Sequence, residues 1–192
     1  EKSTLFCGQI MTAAEHVAAL VEQINLYISA KEAPLKIEQV DVHQVLKTIY
    51  DEFSSRLNTR QIQWLEPTGL VPVDADRLAL LRVFRNFVDN ALKYGGEQLS
   101  RISIGYESTA TAHIFSIRDD GIGVQSDDPA KLFELFHRQQ AAHGTEGSGL
   151  GLAIVREIIE RHGGKVWVEP IAERGTCFCF SLLKKQTESA PA

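Results

Sequence analysis

Taken in order, the periodicities of this 192-residue chain predict an α+β protein of two layers. They call for a mixed sheet of about five strands, covered on one face by three helices and preceded by one long helix. Three observations carry this. Three separate segments (about 42–58, the stretch ending at Tyr94 that includes 82–94, and about 150–162) place apolar residues at alternating spacings of three and four, the period of an amphipathic helix. Between and after them, short runs alternate apolar and polar residues and fall into two hairpin-like pairs, 101–107 with 111–118 and 165–169 with 176–183. Finally, residues 9–30 contain neither Pro nor Gly and carry a heptad seam.

That seam is Ile10, Ala14, Val17, Val21, Ile24 and Ile28, widened by Ala13, Leu20 and Tyr27. A lone helix cannot bury such a stripe against itself, so it calls for a partner helix, from a second copy or from elsewhere in the protein. Ala33-Pro34 ends the helix. Lys36–Val40 reads as a short strand. Asp41 then caps a helix over about 42–58, with Val42, Val45, Leu46, Ile49, Tyr50 and Phe53 inward. Gln61–Leu65 alternates as a strand, and Pro67–Pro72 reads as a loop. Asp74 or Asp76 caps the next helix, whose apolar stripe includes Leu80, Leu81, Phe84, Phe87, Val88, Ala91 and Leu92, and Gly95-Gly96 stops it. After the first hairpin comes a Gly/Asp loop over 119–128. A short helix is expected to carry Leu132, Phe133, Leu135 and Phe136, and a polar segment follows over 137–148. The helix over about 150–162 closes at Gly163-Gly164. The expected division is 1–34 as the appended helix, 35–185 as the globular unit and 186–192 as a frayed tail.

Composition narrows the function classes. An apolar fraction of 44% and a charged fraction of 23% are those of an ordinary globular domain. A net charge of -5 argues against a generalised nucleic-acid surface. No apolar run approaches the ~18 residues a membrane span requires, and no signal-peptide pattern is present. The chain opens on Glu1 rather than Met, which reads as a piece cut from something longer whose parent could still be membrane-anchored. Of the three cysteines, Cys177 and Cys179 share one face of a strand, where adjacent positions rarely form a disulfide. No second cysteine pair or histidine is spaced to complete a zinc site, so the cysteines read as small hydrophobes in a reducing cytoplasm.

The chemistry-bearing residues begin on the helix that ends at Tyr94. Asn86 and Asn90, four apart, share one face, and Lys93 stands on the next turn. Amide oxygens are neutral ligands for a hard cation such as Mg2+, and a lysine is a point charge suited to phosphate. A solvated helix face would use the same residues, so this segment decides nothing alone. Asp119-Asp-Gly-Ile-Gly123 follows directly on a strand. Gly121 and Gly123 let the backbone turn tightly beside a ligand, and Asp119 can accept a hydrogen bond from an exocyclic amine such as adenine's. Gly147-Ser-Gly-Leu-Gly-Leu152 is glycine-dense at a helix entrance, where free N–H groups and the helix dipole favour phosphate. It is no dinucleotide fingerprint, since a polar loop precedes it, and no P-loop sequence occurs.

Four blocks in one order are far more specific than any one of them. Asn86…Asn90-Ala-x-Lys93-Tyr94, Asp119-x-Gly-x-Gly123, Leu132-Phe-Glu-x-Phe136 and Gly147-x-Gly-x-Gly151 resemble the N, G1, F and G2 boxes of the histidine-kinase-type ATP-binding domain. The resemblance spans about residues 36–184. It implies the left-handed sandwich known as the Bergerat or GHKL fold, holding ATP between the Asn helix and a lid over about 137–148. Carried over residue by residue, it places the adenine amine on Asp119, with Thr176 supporting that contact, and Mg2+ on Asn90. It sets Asn86, Lys93 and Arg138 near the phosphates and Tyr94 near the base. Gly147, Gly149, Leu150 and Gly151 would line the triphosphate, and Phe136 closes the F box.

In hydrolytic relatives of this superfamily a Glu stands where Asn86 does, and it activates water. An amide cannot serve as a general base, so the resemblance implies transfer of the γ-phosphate to another nucleophile rather than rapid hydrolysis. That nucleophile would be a histidine on a partner helix outside this stretch. His16-Val-Ala-Ala does not fit the family's phosphoacceptor motif, nor does His43, His113, His137, His143 or His162. Residues 8–34 resemble instead the second helix of the family's dimerisation hairpin, which implies a homodimer, the phosphoacceptor helix of the same protein and a response regulator as partners. Two rivals are weighed beside this. A serine kinase of the anti-sigma-factor type shares the pocket but lacks a dimerisation hairpin, and a degenerate nucleotide-binding scaffold would not keep every box intact.

Overall fold

The computed structural model describes residues 2–124, 128–136, 149–169, 171 and 174–184, with the backbone alone at 2–5, 7, 9 and 16. Helix α1 (Lys2–Glu32) leads into β1 (Ile37–Val40) and α2 (Val42–Thr59). Asp41 caps α2 as expected, its carboxylate accepting the His43 N–H at 2.9 Å. Next come β2 (Gln63–Leu65), β3 (Val73–Asp76) and α3 (Arg77–Tyr94), then β4 (Arg101–Ser108) and β5 (Ala112–Asp119). A 3-10 turn (Pro129–Phe133), α4 (Gly151–Arg161), β6 (Val166–Glu169) and β7 (Thr176–Leu183) complete the described elements.

The main sheet runs β2-β4-β5-β7-β6, with β2 parallel to β4 and every other neighbour antiparallel. It is the five-stranded mixed sheet that the periodicities call for. Strand β3 is an addition, for sequence reasoning assigned no strand there. It pairs antiparallel with β1 as a separate two-stranded ribbon, Val40 opposite Val73. Val-Asp-Ala-Asp has little strand propensity of its own. The pairing with β1 and the burial of Val73 and Ala75 hold it extended.

Helix α3 lies at the centre because its stripe meets the aromatic face of the sheet. Phe87 stacks on Phe178 at 5.0 Å between centroids, and Phe84 meets Phe115 and Phe180 edge-on at 5.8 and 5.5 Å. Helices α2 and α4 flank it and bury Leu46, Ile49, Val155 and Ile159 completely. Asp76, rather than Asp74, caps α3, accepting Ala79 N–H at 3.0 Å and Lys36 N–H at 2.9 Å. The Asp76 N–H in turn donates to His162 Nε2 at 3.0 Å, while His162 Nδ1 lies 2.7 Å from the Ile158 carbonyl. His162 thus joins the end of α4 to the start of α3, a structural task.

Two apolar residues of the expected short helix leave it. Leu132 and Phe133 are buried in the 3-10 turn, but Leu135 and Phe136 lie beyond it and are exposed. The cause is local, since Phe136 takes a positive φ of 59°, which no right-handed helix accommodates. The end of α1 is anchored to α4, with Arg161 Nη1 donating to the Ala30 carbonyl at 2.6 Å and Ile24, Leu26 and Tyr27 packed against the core. Further back the seam has no cover among the described residues, for Ile10 is 67% exposed and Val17 61%. Among the described residues no helix is long and apolar enough to cross a membrane.

Candidate nucleotide site

Three pieces of backbone meet along one side of α3. At its C-terminal end the loop after β5 packs directly on Gly95. The Ile122 N–H donates to the Gly95 carbonyl at 3.0 Å, and a Cβ on Gly121 would stand 2.5 Å from Gly95 Cα. Only glycine permits that approach. Two turns earlier, the entrance to α4 rests on Asn86, because a Cβ on Gly151 would lie 2.5 Å from Asn86 Oδ1. Asn86 is held in place by its own Nδ2, which donates to the Arg82 carbonyl at 2.8 Å. From Asn86 to Gly95 the helix rises roughly 13 Å, and Asn90, half-buried, stands midway.

At one end of this strip is Asp119. It is 5% exposed, and its Oδ1 accepts the Gly121 N–H at 2.9 Å. Burial pushes its carboxyl above the ordinary value, and hydrogen bonds from Gly121 and from the backbone and hydroxyl of Thr176 pull it part of the way back. Its neighbour Asp120 has a different task. It accepts the Ser100 and Arg101 N–H groups at 2.8 and 2.9 Å and pins the start of β4. Of two adjacent aspartates, one pins a strand and the other is buried with a perturbed carboxyl, the kind of placement that marks a candidate binding group.

At the opposite end is the α4 N-terminus. Helices α2 and α3 are capped by Asp41 and Asp76, but α4 begins at Leu150 with no side-chain cap among the described residues. Its first turn lies against Asn86, and the positive end of the helix dipole points that way. Leu150 itself is 1% exposed, so anything it gives a ligand comes from its backbone. The Phe136 N–H donates to the Gly149 carbonyl at 3.1 Å, which ties together the two ends of the segment between them.

The structure brings Asn86, Asn90, Asp119, Gly121, Gly123, Gly149, Gly151 and Thr176 to one side of the sandwich. Lys93 is turned otherwise. Its Nζ is 2.6 Å from Asp89 Oδ2, and Asp89 Oδ1 also takes Arg56 Nη1 of α2 at 3.0 Å. Tyr94 is 36% exposed at the helix end. Arg138, Gly147 and the expected lid over 137–148 lie outside the described residues. Sequence reasoning missed two positions. Gly95 is the platform for the loop after β5, and Gly175, at φ +105°, lets β7 begin directly against the Asp119 carbonyl. Gly95 stands in a turn-forming dipeptide, Gly95-Gly96, which could have flagged it, whereas nothing in the residues around Gly175 did.

Comparison with known proteins agrees with this arrangement. The sensor FilI of Methanothrix harundinacea (strain 6Ac), a methanogenesis regulatory histidine kinase, is 39% identical over 142 residues, 73% of this chain and 15% of FilI. The crystal structure of full-length ShkA in complex with AMPPNP superposes with a TM-score of 0.75 at 26% identity, over 95% of this chain and 39% of that one. The histidine kinase ThkA in complex with the response regulator protein TrrA gives 0.74 at 27% identity, over 93% of this chain and 50% of that one. The chain thus spans no more than half the length of these relatives. The model of the histidine kinase-, DNA gyrase B- and HSP90-like ATPases matches residues 75–186, from the strand before α3 to the end of β7. With α3, the loop after β5 and the entrance to α4 all inside that match, the chain belongs to this ATPase family.

Proposed function

We propose that this chain is the ATP-binding catalytic part of a two-component sensor histidine kinase, passing the γ-phosphate of ATP to a histidine on a partner helix. The observation that carries the proposal is the strip on α3: two amides half-buried between a buried carboxylate and the N-terminus of α4. A purine amine suits Asp119, with Thr176 steadying the carboxylate. Gly149, Leu150 and Gly151 offer backbone donors to the phosphates. Tyr94 and Phe136, both exposed, flank the base end and the lid end. Lys93 would leave Asp89 for a phosphate oxygen, and Arg138 and Gly147 would approach from the 137–148 lid. Asn86 and Asn90 fit the donor chemistry of a hard cation, and Asn90 would hold Mg2+, which offsets charge on the β- and γ-phosphates. Asn86 supplies no base, so bound ATP persists until a nucleophile arrives.

Residues 1–34 form the second helix of a dimerisation hairpin, 35–185 the catalytic domain and 186–192 a tail. The seam of α1 is covered by a second copy together with the phosphoacceptor helix, and a response regulator receives the phosphate. The setting is cytoplasmic, whether or not the parent is membrane-anchored. The test is to supply a hairpin carrying the acceptor histidine in trans with labelled Mg-ATP and to follow label that is stable in alkali and lost in acid. Label appearing on a serine instead, or none with nucleotide demonstrably bound, overturns the assignment.

A further inference from the structure

The face of the sheet turned away from the helices carries a second group of ligating side chains, unrelated to the nucleotide strip. On β7, Phe178 and Phe180 point into the aromatic core, so Cys177 and Cys179 point the other way, together. Their Sγ atoms are 3.7 Å apart, far beyond a disulfide bond, and both side chains are buried. Glu169, on the neighbouring strand β6, stands directly opposite Cys177 in the register. A carboxylate oxygen of Glu169 and the two sulfurs all lie within 4.8 Å of one another. Strand alternation had suggested the cysteine pair; the third donor comes from across the ladder, where sequence spacing does not reveal it.

We propose that Cys177, Cys179 and Glu169 form a binding site for a tetrahedral thiophilic cation of the Zn2+ type, with water in the fourth position. Geometry selects this class. Two thiolates at ~2.3 Å from a tetrahedral zinc stand about 3.8 Å apart, which the sulfurs already do without moving. A linear two-thiolate ion at the same bond length would hold them roughly 4.6 Å apart. The exposed carboxylate has to close by only about 1 Å, since zinc-bound sulfur and oxygen sit roughly 3.5 Å from each other. One of its oxygens accepts the Trp167 indole N–H at 3.2 Å, which orients it beside Cys179. Charge also balances. Two thiolates, one carboxylate and a divalent ion sum to one negative charge, and Arg118, opposite Cys177 on β5, supplies the positive one. Both thiol protons leave on binding, as coordination requires.

The experiment uses the whole chain, reduced and stripped with a chelator, then titrated with Co2+ and with Zn2+ against a chromophoric competitor. One equivalent of Co2+ should give the intense visible bands of a tetrahedral ion and a thiolate-to-cobalt band in the near ultraviolet, both displaced by Zn2+. Cys177→Ser and Cys179→Ser should each cut the thiolate band to roughly half or less, the double variant should abolish it, Glu169→Gln should weaken Zn2+ binding, and Cys7→Ser should leave binding unchanged. An octahedral, thiolate-free spectrum in the wild-type chain overturns the site, as does undiminished binding in the Cys177→Ser/Cys179→Ser double variant. The wild-type spectrum keeps the test decisive even if a serine variant folds poorly.

Discussion

Replacing Asp119 by Asn should separate the stability of this domain from its use. The carboxylate is 5% exposed and accepts the Gly121 N–H at 2.9 Å. Asn keeps the shape and one acceptor oxygen for that N–H, but its other terminus becomes a donor. A purine amine, itself a donor, then faces an N–H2 instead of an oxygen. Losing a hydrogen bond to a charged group costs about 1.5–3 kcal/mol, which is an affinity drop of about 10- to 150-fold. Stability responds to two opposed changes, because the Thr176 donors lose acceptor capacity while a buried charge is removed. Burial raises the folded-state pKa of Asp119 above its ordinary 3.8, so the folded state holds this proton more tightly than the unfolded state does. The associated stability is complete below the ordinary value and is lost as pH rises through the folded one. At neutral pH the wild-type chain therefore carries the cost of a buried charge, which the amide escapes. Measured relative to wild type, Asp119→Asn should melt more favourably at pH 7 than near pH 4, the difference shrinking on acidification. Calorimetry with AMPPNP gives the affinity and thermal melts at several pH values give the stability. Wild-type affinity in the variant would refute the placement of the base. A lower melting temperature at pH 7 than at pH 4, relative to wild type, would refute the burial argument.

Gly151→Ala sets a methyl group into Asn86 Oδ1, 2.5 Å from where it must go. Overpacking of this kind costs about 1–3 kcal/mol, and both denaturant midpoint and AMPPNP affinity should fall. An unchanged affinity would mean that the entrance to α4 does not touch the nucleotide. Asn90→Ala should flatten the difference between AMPPNP affinities measured with Mg2+ and with a chelator, while leaving the metal-free value nearly untouched; a persistent Mg2+ effect would place the cation elsewhere. Phe87→Ala removes a fully buried ring stacked on Phe178 at 5.0 Å and should destabilise the domain by about 3–5 kcal/mol in urea unfolding. A change under ~1 kcal/mol would show that α3 is not seated as described.

Much of the architecture was legible in the residues because it rests on period and punctuation. The α3 stripe, the Asp41 cap, the Gly95 stop and the hairpins on either side of α4 all depend on local spacing, and local spacing is what a sequence displays. So is the order of the four motif blocks, which pointed to the nucleotide site before any geometry was known. Strand β3 was not legible, since Val-Asp-Ala-Asp becomes a strand only through its pairing with β1, more than thirty residues earlier. The premature end of the short helix expected to carry Leu132, Phe133, Leu135 and Phe136 was hidden for a similar reason: the Phe136 N–H finds its acceptor at Gly149, a contact across the chain.

Residue type fixed which groups could act, but only the tertiary structure decided which of them do the same job. Asp119 and Asp120 are equivalent in the sequence, yet Ser100 and Arg101 claim one and burial isolates the other. Lys93 follows the motif, yet Asp89 holds it towards α2. Glu169 carries no motif at all until β6 lies beside β7. Side-chain chemistry is a property of the residue, whereas charge state, partner and access are set by neighbours that the chain delivers from far along its length.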